Sequence, residues 1–178
     1  MASSVIGHRW YLQHQLLAKH PPAQVLSWLF DHTSLTARLK RHCHSFEVRL
    51  LSQQYQRPTL DEQEILAIRP GRFALIRQVC LYCNGHAGVY ARSVIPAPTL
   101  TGRQRIYTRL GSRPLGAMLF ADRTMKRDEI MVAEFTLAEL PLAESAGDGT
   151  CWGRRSIFRV GGKPLLVSEY FLPALVGP

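Results

Sequence analysis

Acidic residues are in short supply in this chain: 13 Asp and Glu against 22 Lys and Arg leave a formal charge of +9 over 178 residues. The deficit excludes an acidic, solvating polypeptide. It leaves three uses for the excess cations: a phosphate-binding surface, the solvated faces of two helices, or a positive field that draws in a small anion. Cysteine is equally sparse. Cys43, Cys80, Cys83 and Cys151 are too few and too irregular for a disulfide scaffold, so reduced thiols are expected. Cys80 and Cys83 are spaced as CxxC, but three steps along a strand send them to opposite faces, and no second Cys or His pair follows at zinc spacing; no metal is expected. Long apolar runs are missing too. None approaches the ~20 residues of a membrane span, and the first 20 residues lack the apolar stretch and small-residue cleavage site of a secretory signal. A cytoplasmic protein without stable membrane insertion is therefore expected. No GxGxxG, Walker loop, HExxH or GxSxG occurs, which removes the common nucleotide, metalloprotease and hydrolase templates.

What is present is ordinary in amount. Apolar residues make up 46% and charged residues 20% of the chain, the balance of a folded globular protein, and its length suits one domain over residues 1–178. Pro21 and Pro22 open a helix whose Val25, Leu26, Leu29 and Phe30 share a face. Thr33 or Ser34 caps a second helix carrying Leu35, Leu39 and a basic outer side. Phe46, Val48 and Leu50 alternate as a strand, and residues 56–64 read as a polar connection. Two strands, 72–82 and 87–95, flank Asn84-Gly85, a strong hairpin signal. Thr99 or Thr101 then caps a helix that stops at Gly111, and Ser112 and Pro114 start another through Phe120. A strand with blurred alternation spans 123–136, and residues 137–150 read as an acidic surface excursion. The chain closes on a hairpin turned by Gly161-Gly162. The resulting expectation is an α+β fold, a single antiparallel β-sheet with two helix-turn-helix flaps.

Placement is what sets the chain apart. Alternation along Leu165, Val167, Glu169 and Phe171 puts Glu169 on an otherwise apolar face, and the same period aligns Arg77 with Phe73, Leu75, Val79 and Leu81. A charge on a core face must be paired, protonated or used. The plain alternatives are a strand-end charge that reaches solvent and a structural ion pair, either between these two or with another core arginine, although such pairs are a poor source of stability. If both faces line one interior, the chain encloses a site with one anion and one cation, suited to a ligand bearing a carboxylate and a hydroxyl.

The terminal block WGRRSIFRVGGKPLLVSEYFLP resembles the C-terminal signature of the chorismate lyase family. Upstream, DHTSLTARL is similar to that family's first flap, IRQVCLYCNG to its Arg-bearing strand, ARSVIPAPTLTG to the partner strand and LGSRPLGAMLFADRTMKRD to the second flap, in consistent order over residues 23–173. The resemblance implies a cofactor-free cytoplasmic enzyme that converts chorismate to 4-hydroxybenzoate and pyruvate on the way to ubiquinone; a monomer is expected, although no residue pattern in the sequence sets the oligomeric state. It implies that Arg77 holds the ring carboxylate with the backbone amides of Leu35 and Leu115, that Glu169 meets the 4-hydroxyl, and that Arg92 serves ligand passage or the second carboxylate. Leu35 and Leu115 each fall in the first turn of an expected helix, where free N–H groups favour an anion. A dianionic substrate also gives the +9 charge a use that needs no nucleic acid, and the chain shows neither interleaved surface aromatics nor a nucleic-acid motif. The rival reading is a small-molecule sensor, since effector-binding domains of some bacterial regulators share this fold; such a chain is expected to bring a winged helix-turn-helix, for which residues 1–22 are too short. The resemblance departs from the family pattern at Leu35, where a Met is familiar, and in the acidic excursion of about 133–150, longer than the family norm.

Overall fold

A computed structural model describes residues 8–18, 21–142 and 149–177. Its frame is an antiparallel sheet built from β1 (Tyr11–Leu12), β2 (Phe46–Gln56), β3 (Ala74–Cys83), β4 (His86–Pro96), β5 (Lys126–Arg127), β6 (Met131–Thr136), β7 (Thr150–Val160) and β8 (Lys163–Phe171). The order across the sheet is β1-β6-β7-β8-β4-β3-β2, and β5 pairs with β7 beside that path. Both expected hairpins form on left-handed residue pairs, Asn84 (φ 53°) with Gly85 (φ 82°) and Gly161 (φ 57°) with Gly162 (φ 77°), the backbone that a two-residue turn between twisted strands demands.

Helices cover both faces, which is why β3, β4, β7 and β8 bury almost every residue rather than alternate with solvent. On one face lie α1 (Ala23–Leu29) and α2 (Leu35–His42), joined as the first flap. Ser34 caps α2 by accepting from Ala37 N at 3.3 Å, and Lys40, Arg41 and His42 lie in its last turn, where the helix dipole favours cations. The second flap is a 3-10 segment, Gly102–Arg109, followed by α4 (Leu115–Ala121). Thr101 holds its N-cap position but makes no side-chain cap bond, Thr99 instead donates its hydroxyl to Pro164 O at 2.6 Å, and the expected helix is wound as a 3-10 segment. On the other face lies α3 (Leu60–Ile65), and the short α5 (Pro173–Val176) follows β8.

Four expectations need correction. Residues 56–64 are not merely a polar connection: Thr59 and Glu62 form a capping box that nucleates α3, a signal legible as Thr-x-x-Glu. The strand expected over 123–136 divides into β5 and β6. The acidic excursion is shorter than it reads, since β6 runs to Thr136 and Leu137 and Leu140 are buried against Phe135 and Tyr170; residues 143–148 lie outside the described residues. The thiols are not all reduced. Cys43 ends α2, Cys83 ends β3, and pairing of Phe46 with Cys83 brings the two together as a disulfide across a sequence separation of 40. Strand pairing rather than sequence spacing sets that contact, and crosslinks of this kind typically add about 2–4 kcal/mol. The CxxC is therefore split between a disulfide at Cys83 and a free thiol at Cys80. Burial pushes the two free thiols up, Cys80 to about 11 and Cys151 to about 12, so neither is a ready nucleophile at neutral pH.

Candidate active site

Between the two flaps and the sheet is a narrow cavity of about 40 Å³. Leu35 and Thr36 of α2 and Leu115, Gly116 and Leu119 of α4 form the roof; Arg77, Val79, Ala91, Ser93, Val167 and Glu169 form the floor. The flaps meet closely above it, since a Cβ on Gly116 would lie 3.3 Å from Thr36 Oγ1. Leu35 and Leu115 are the first residues of α2 and α4, where backbone N–H groups have no intrahelical acceptor.

Arg77 and Glu169 both line this cavity, but not as partners of each other. The Arg77 guanidinium is anchored through Nη2, which donates to Gly111 O and Arg113 O at 2.9 Å each in the loop before α4. Its buried Nε has no hydrogen-bond partner, and desolvation pulls the group down to about 10, the mark of a cation short of an anion. Glu169 is instead paired with Arg154. The β7–β8 register sets them directly opposite, and Arg154 Nε donates to Glu169 Oε2 at 2.6 Å. Arg154 is 1% exposed and Glu169 16%, so the carboxylate keeps one edge toward the cavity. Arg154 Nη1 also donates to Trp28 O and Asp31 O, both at 2.7 Å, which ties the first flap to the floor.

Arg127 supplies a third guanidinium. Its Nε donates to Ser156 Oγ at 3.0 Å and its Nη1 to Asp31 O at 3.2 Å, while its Cζ lies 5.0 Å from the Phe158 ring. Burial, with Arg154 nearby, lowers it to about 10. Three arginines and one carboxylate thus face one cavity, a formal surplus of two positive charges. Arg127 and Arg154 were not among the residues singled out from sequence. For Arg154 a signal existed, because alternation through Trp152, Arg154, Ser156 and Phe158 puts it on the same face as the apolar residues; for Arg127 none did, because β5 is only two residues long and is flanked by charge.

Arg92 is elsewhere. It lies on β4 between Ala91 and Ser93, so its side chain points to the opposite face of the sheet, where Nε and Nη2 grip Glu62 Oε1 and Oε2 at 2.7 and 3.0 Å. Arg155 reaches Asp61 on the same face at 2.6 Å, and the two pairs clamp α3 to the sheet. The sheet itself separates Arg92 from the cavity. Among the described residues no group of three or more His, Cys, Asp or Glu is placed to hold a metal ion, and no helix is long and apolar enough to cross a membrane.

The chorismate lyase family model matches residues 8–176. A probable chorismate pyruvate-lyase of Methylococcus capsulatus is 44% identical over 154 residues, covering 84% of this chain and 95% of that protein. One of an Azoarcus species is 42% identical over 159 residues, covering 84% of each. Among solved structures, PhnF from Mycobacterium smegmatis superposes with a TM-score of 0.61 at 14% identity, over 82% of this chain and 66% of that one. The effector domain of PhnF gives 0.56 at 14% identity, over 80% and 90%. Both structures thus share the fold, an antiparallel sheet with helical flaps, and at such identity no more than the fold. Matched along nearly its whole length by the family model and at about two residues in five by named lyases, the chain belongs to the chorismate lyase family.

Proposed function

We propose that the chain converts chorismate to 4-hydroxybenzoate and pyruvate, the step that commits the ring toward ubiquinone, in the cavity beneath the two flaps. The observation that carries this reading is the charge pattern of that cavity: three arginines and one carboxylate, a net surplus of two positive charges among apolar side chains, suit a dianion that also bears a hydroxyl. The ring carboxylate binds Arg77, whose planar fork retains free donors, and the backbone amides of Leu35 and Leu115 complete its shell. Glu169, oriented by Arg154, accepts the 4-hydroxyl hydrogen bond. Arg92 takes no part in binding, because it is committed to Glu62 across the sheet.

The chemistry is an elimination. The C3–O bond breaks with its electrons leaving on oxygen, the C4 hydrogen departs as a proton, the ring becomes aromatic, and the released enolate takes one proton at its methylene carbon to become pyruvate. Aromatisation supplies the driving force, so the protein's tasks are to orient the ether, exclude water and receive a proton. With the 4-hydroxyl held by its carboxylate, Glu169 serves as the base for the C4 hydrogen or polarises that carbon. No cofactor is required. A sensor reading has less support, since the relatives near 40% identity carry lyase names and PhnF, with its effector domain, resembles this chain only in fold. The test is to incubate purified protein with chorismate and no added metal or cofactor, following the aromatic product by ultraviolet absorbance and pyruvate by a coupled enzyme. Equimolar appearance of both supports the proposal; binding of chorismate without turnover supports the sensor instead.

A further inference from the structure

Taking that reading as its basis, we infer that Arg127 is the binding residue for the enolpyruvyl carboxylate, the group that distinguishes the substrate from the aromatic product. Of the three cavity arginines, Arg154 is already neutralised by Glu169 and held by two flap carbonyls. Arg77 is assigned to the ring carboxylate. Arg127 has only neutral partners, Ser156 Oγ and Asp31 O, and among the described residues no carboxylate lies within ion-pair distance of it. The Glu169 and Asp31 carboxylates act on it only from beyond ion-pair distance, and a half-buried guanidinium facing the cavity without a direct counter-ion is costly to maintain unless a ligand supplies one.

Position selects the same carboxylate. Arg127 lies on β5 and Arg77 on β3, with β7, β8 and β4 between them, so the two cations approach the cavity from opposite sides. Arg127 and Arg154 both donate to Asp31 O, at 3.2 and 2.7 Å, and Arg154 holds Glu169, which places Arg127 at the Glu169 end. In chorismate the enolpyruvyl ether is attached to the carbon next to the hydroxyl-bearing one, whereas the ring carboxylate is remote from that hydroxyl. With the hydroxyl on Glu169 and the ring carboxylate on Arg77, the side-chain carboxylate is left to Arg127. The cavity then binds its dianion at matched charge. Once pyruvate departs, 4-hydroxybenzoate leaves Arg127 uncompensated, so this arginine favours substrate over product.

The test compares Arg127→Gln and Arg127→Lys with the parent protein in two measurements: kcat and KM for chorismate, and the calorimetric Kd of 4-hydroxybenzoate, which lacks the enolpyruvyl group. Arg127→Gln should lower kcat/KM by about 10- to 100-fold, the span of one lost charged hydrogen bond, with most of the loss in KM. The same variant should hold 4-hydroxybenzoate within about twofold of the parent or more tightly. Arg127→Lys, which keeps the charge and the cavity volume, should fall between the two for chorismate and is the variant to read if Arg127→Gln does not fold. Unchanged kcat/KM in either folded variant, or equal losses for both ligands, would overturn the assignment and reduce Arg127 to a support for the Asp31 turn. Failure of the underlying reading looks different: the parent protein itself would neither split chorismate nor bind 4-hydroxybenzoate.

Discussion

Replacing Glu169 with Gln keeps the size of the side chain and an oxygen for Arg154 Nε but removes the negative charge. The structural consequence is bounded by what Arg154 retains. Its Nη1 still donates to Trp28 O and Asp31 O, so only the 2.6 Å bond to Glu169 changes, from charge-assisted to one with a neutral acceptor. That difference is worth about 1–2 kcal/mol. Glu169→Ala removes the acceptor altogether, and breaking a buried pair from one side costs about 3–5 kcal/mol. The remaining carbonyls and the cavity-facing edge of Glu169 put this case near 3. Both costs are smaller than the about 5–15 kcal/mol that holds a typical domain together, so both variants should remain folded. Turnover should drop by about 10²–10⁴-fold in each, the range for a positioned acid or base. Urea unfolding gives the first quantity and the initial rate of aromatic product from chorismate the second. A folded Glu169→Ala protein with turnover within about threefold of the parent would refute the role given to this carboxylate.

Arg77→Lys keeps the charge and loses the planar fork, and should weaken 4-hydroxybenzoate by about 1.5–3 kcal/mol; equal affinity by calorimetry would remove Arg77 from the site. Because the aromatic product keeps the ring carboxylate and hydroxyl contacts, its release through the closed flaps should limit turnover. Rapid mixing should then show a burst of about one equivalent before a slower steady rate, whereas a linear course from the first turnover would exclude a governing lid. At Asp31, burial raises the carboxyl, but hydrogen bonds from Thr33 and Arg38 outweigh it and leave it near 2. A carboxylate depressed in the folded state stabilises above its ordinary value near 4 and loses that contribution as pH falls toward 2. Discounted for its exposed edge, Asp31→Asn should cost about 1 kcal/mol at neutral pH, and the gap from the parent should close between about pH 4 and 2 in urea titrations. A constant gap would contradict the linkage.

The parts legible in the sequence are those with a local cause. Asn84-Gly85 and Gly161-Gly162 announced their hairpins because only such residues take left-handed backbone cheaply, and Ser34 marked the start of α2 because its hydroxyl can replace a missing acceptor. Period two put Arg77 and Glu169 on core faces, and both line the cavity. The parts that stayed hidden depend on what strand pairing brings together. Glu169 meets Arg154 through the β7–β8 register, not through Arg77. Cys43 reaches Cys83 only because β2 runs back along β3. The family pattern linked Arg92 to ligand passage or the second carboxylate, but one step along β4 reverses the facing of a side chain, and Arg92 pairs with Glu62 instead. Arg127 had no periodicity to reveal it, because two strand residues among Lys126, Asp128 and Glu129 carry no pattern.

The most direct measurement is an experimental structure of the protein with 4-hydroxybenzoate bound. The ligand carboxylate is expected against the Arg77 guanidinium and the Leu35 and Leu115 amides, with its hydroxyl within hydrogen-bond distance of Glu169 and Arg127 left without a ligand contact. A product molecule found on the opposite face of the sheet beside Arg92 and Glu62, or lying between the flaps with its carboxylate on Arg127, would contradict the arrangement of the site.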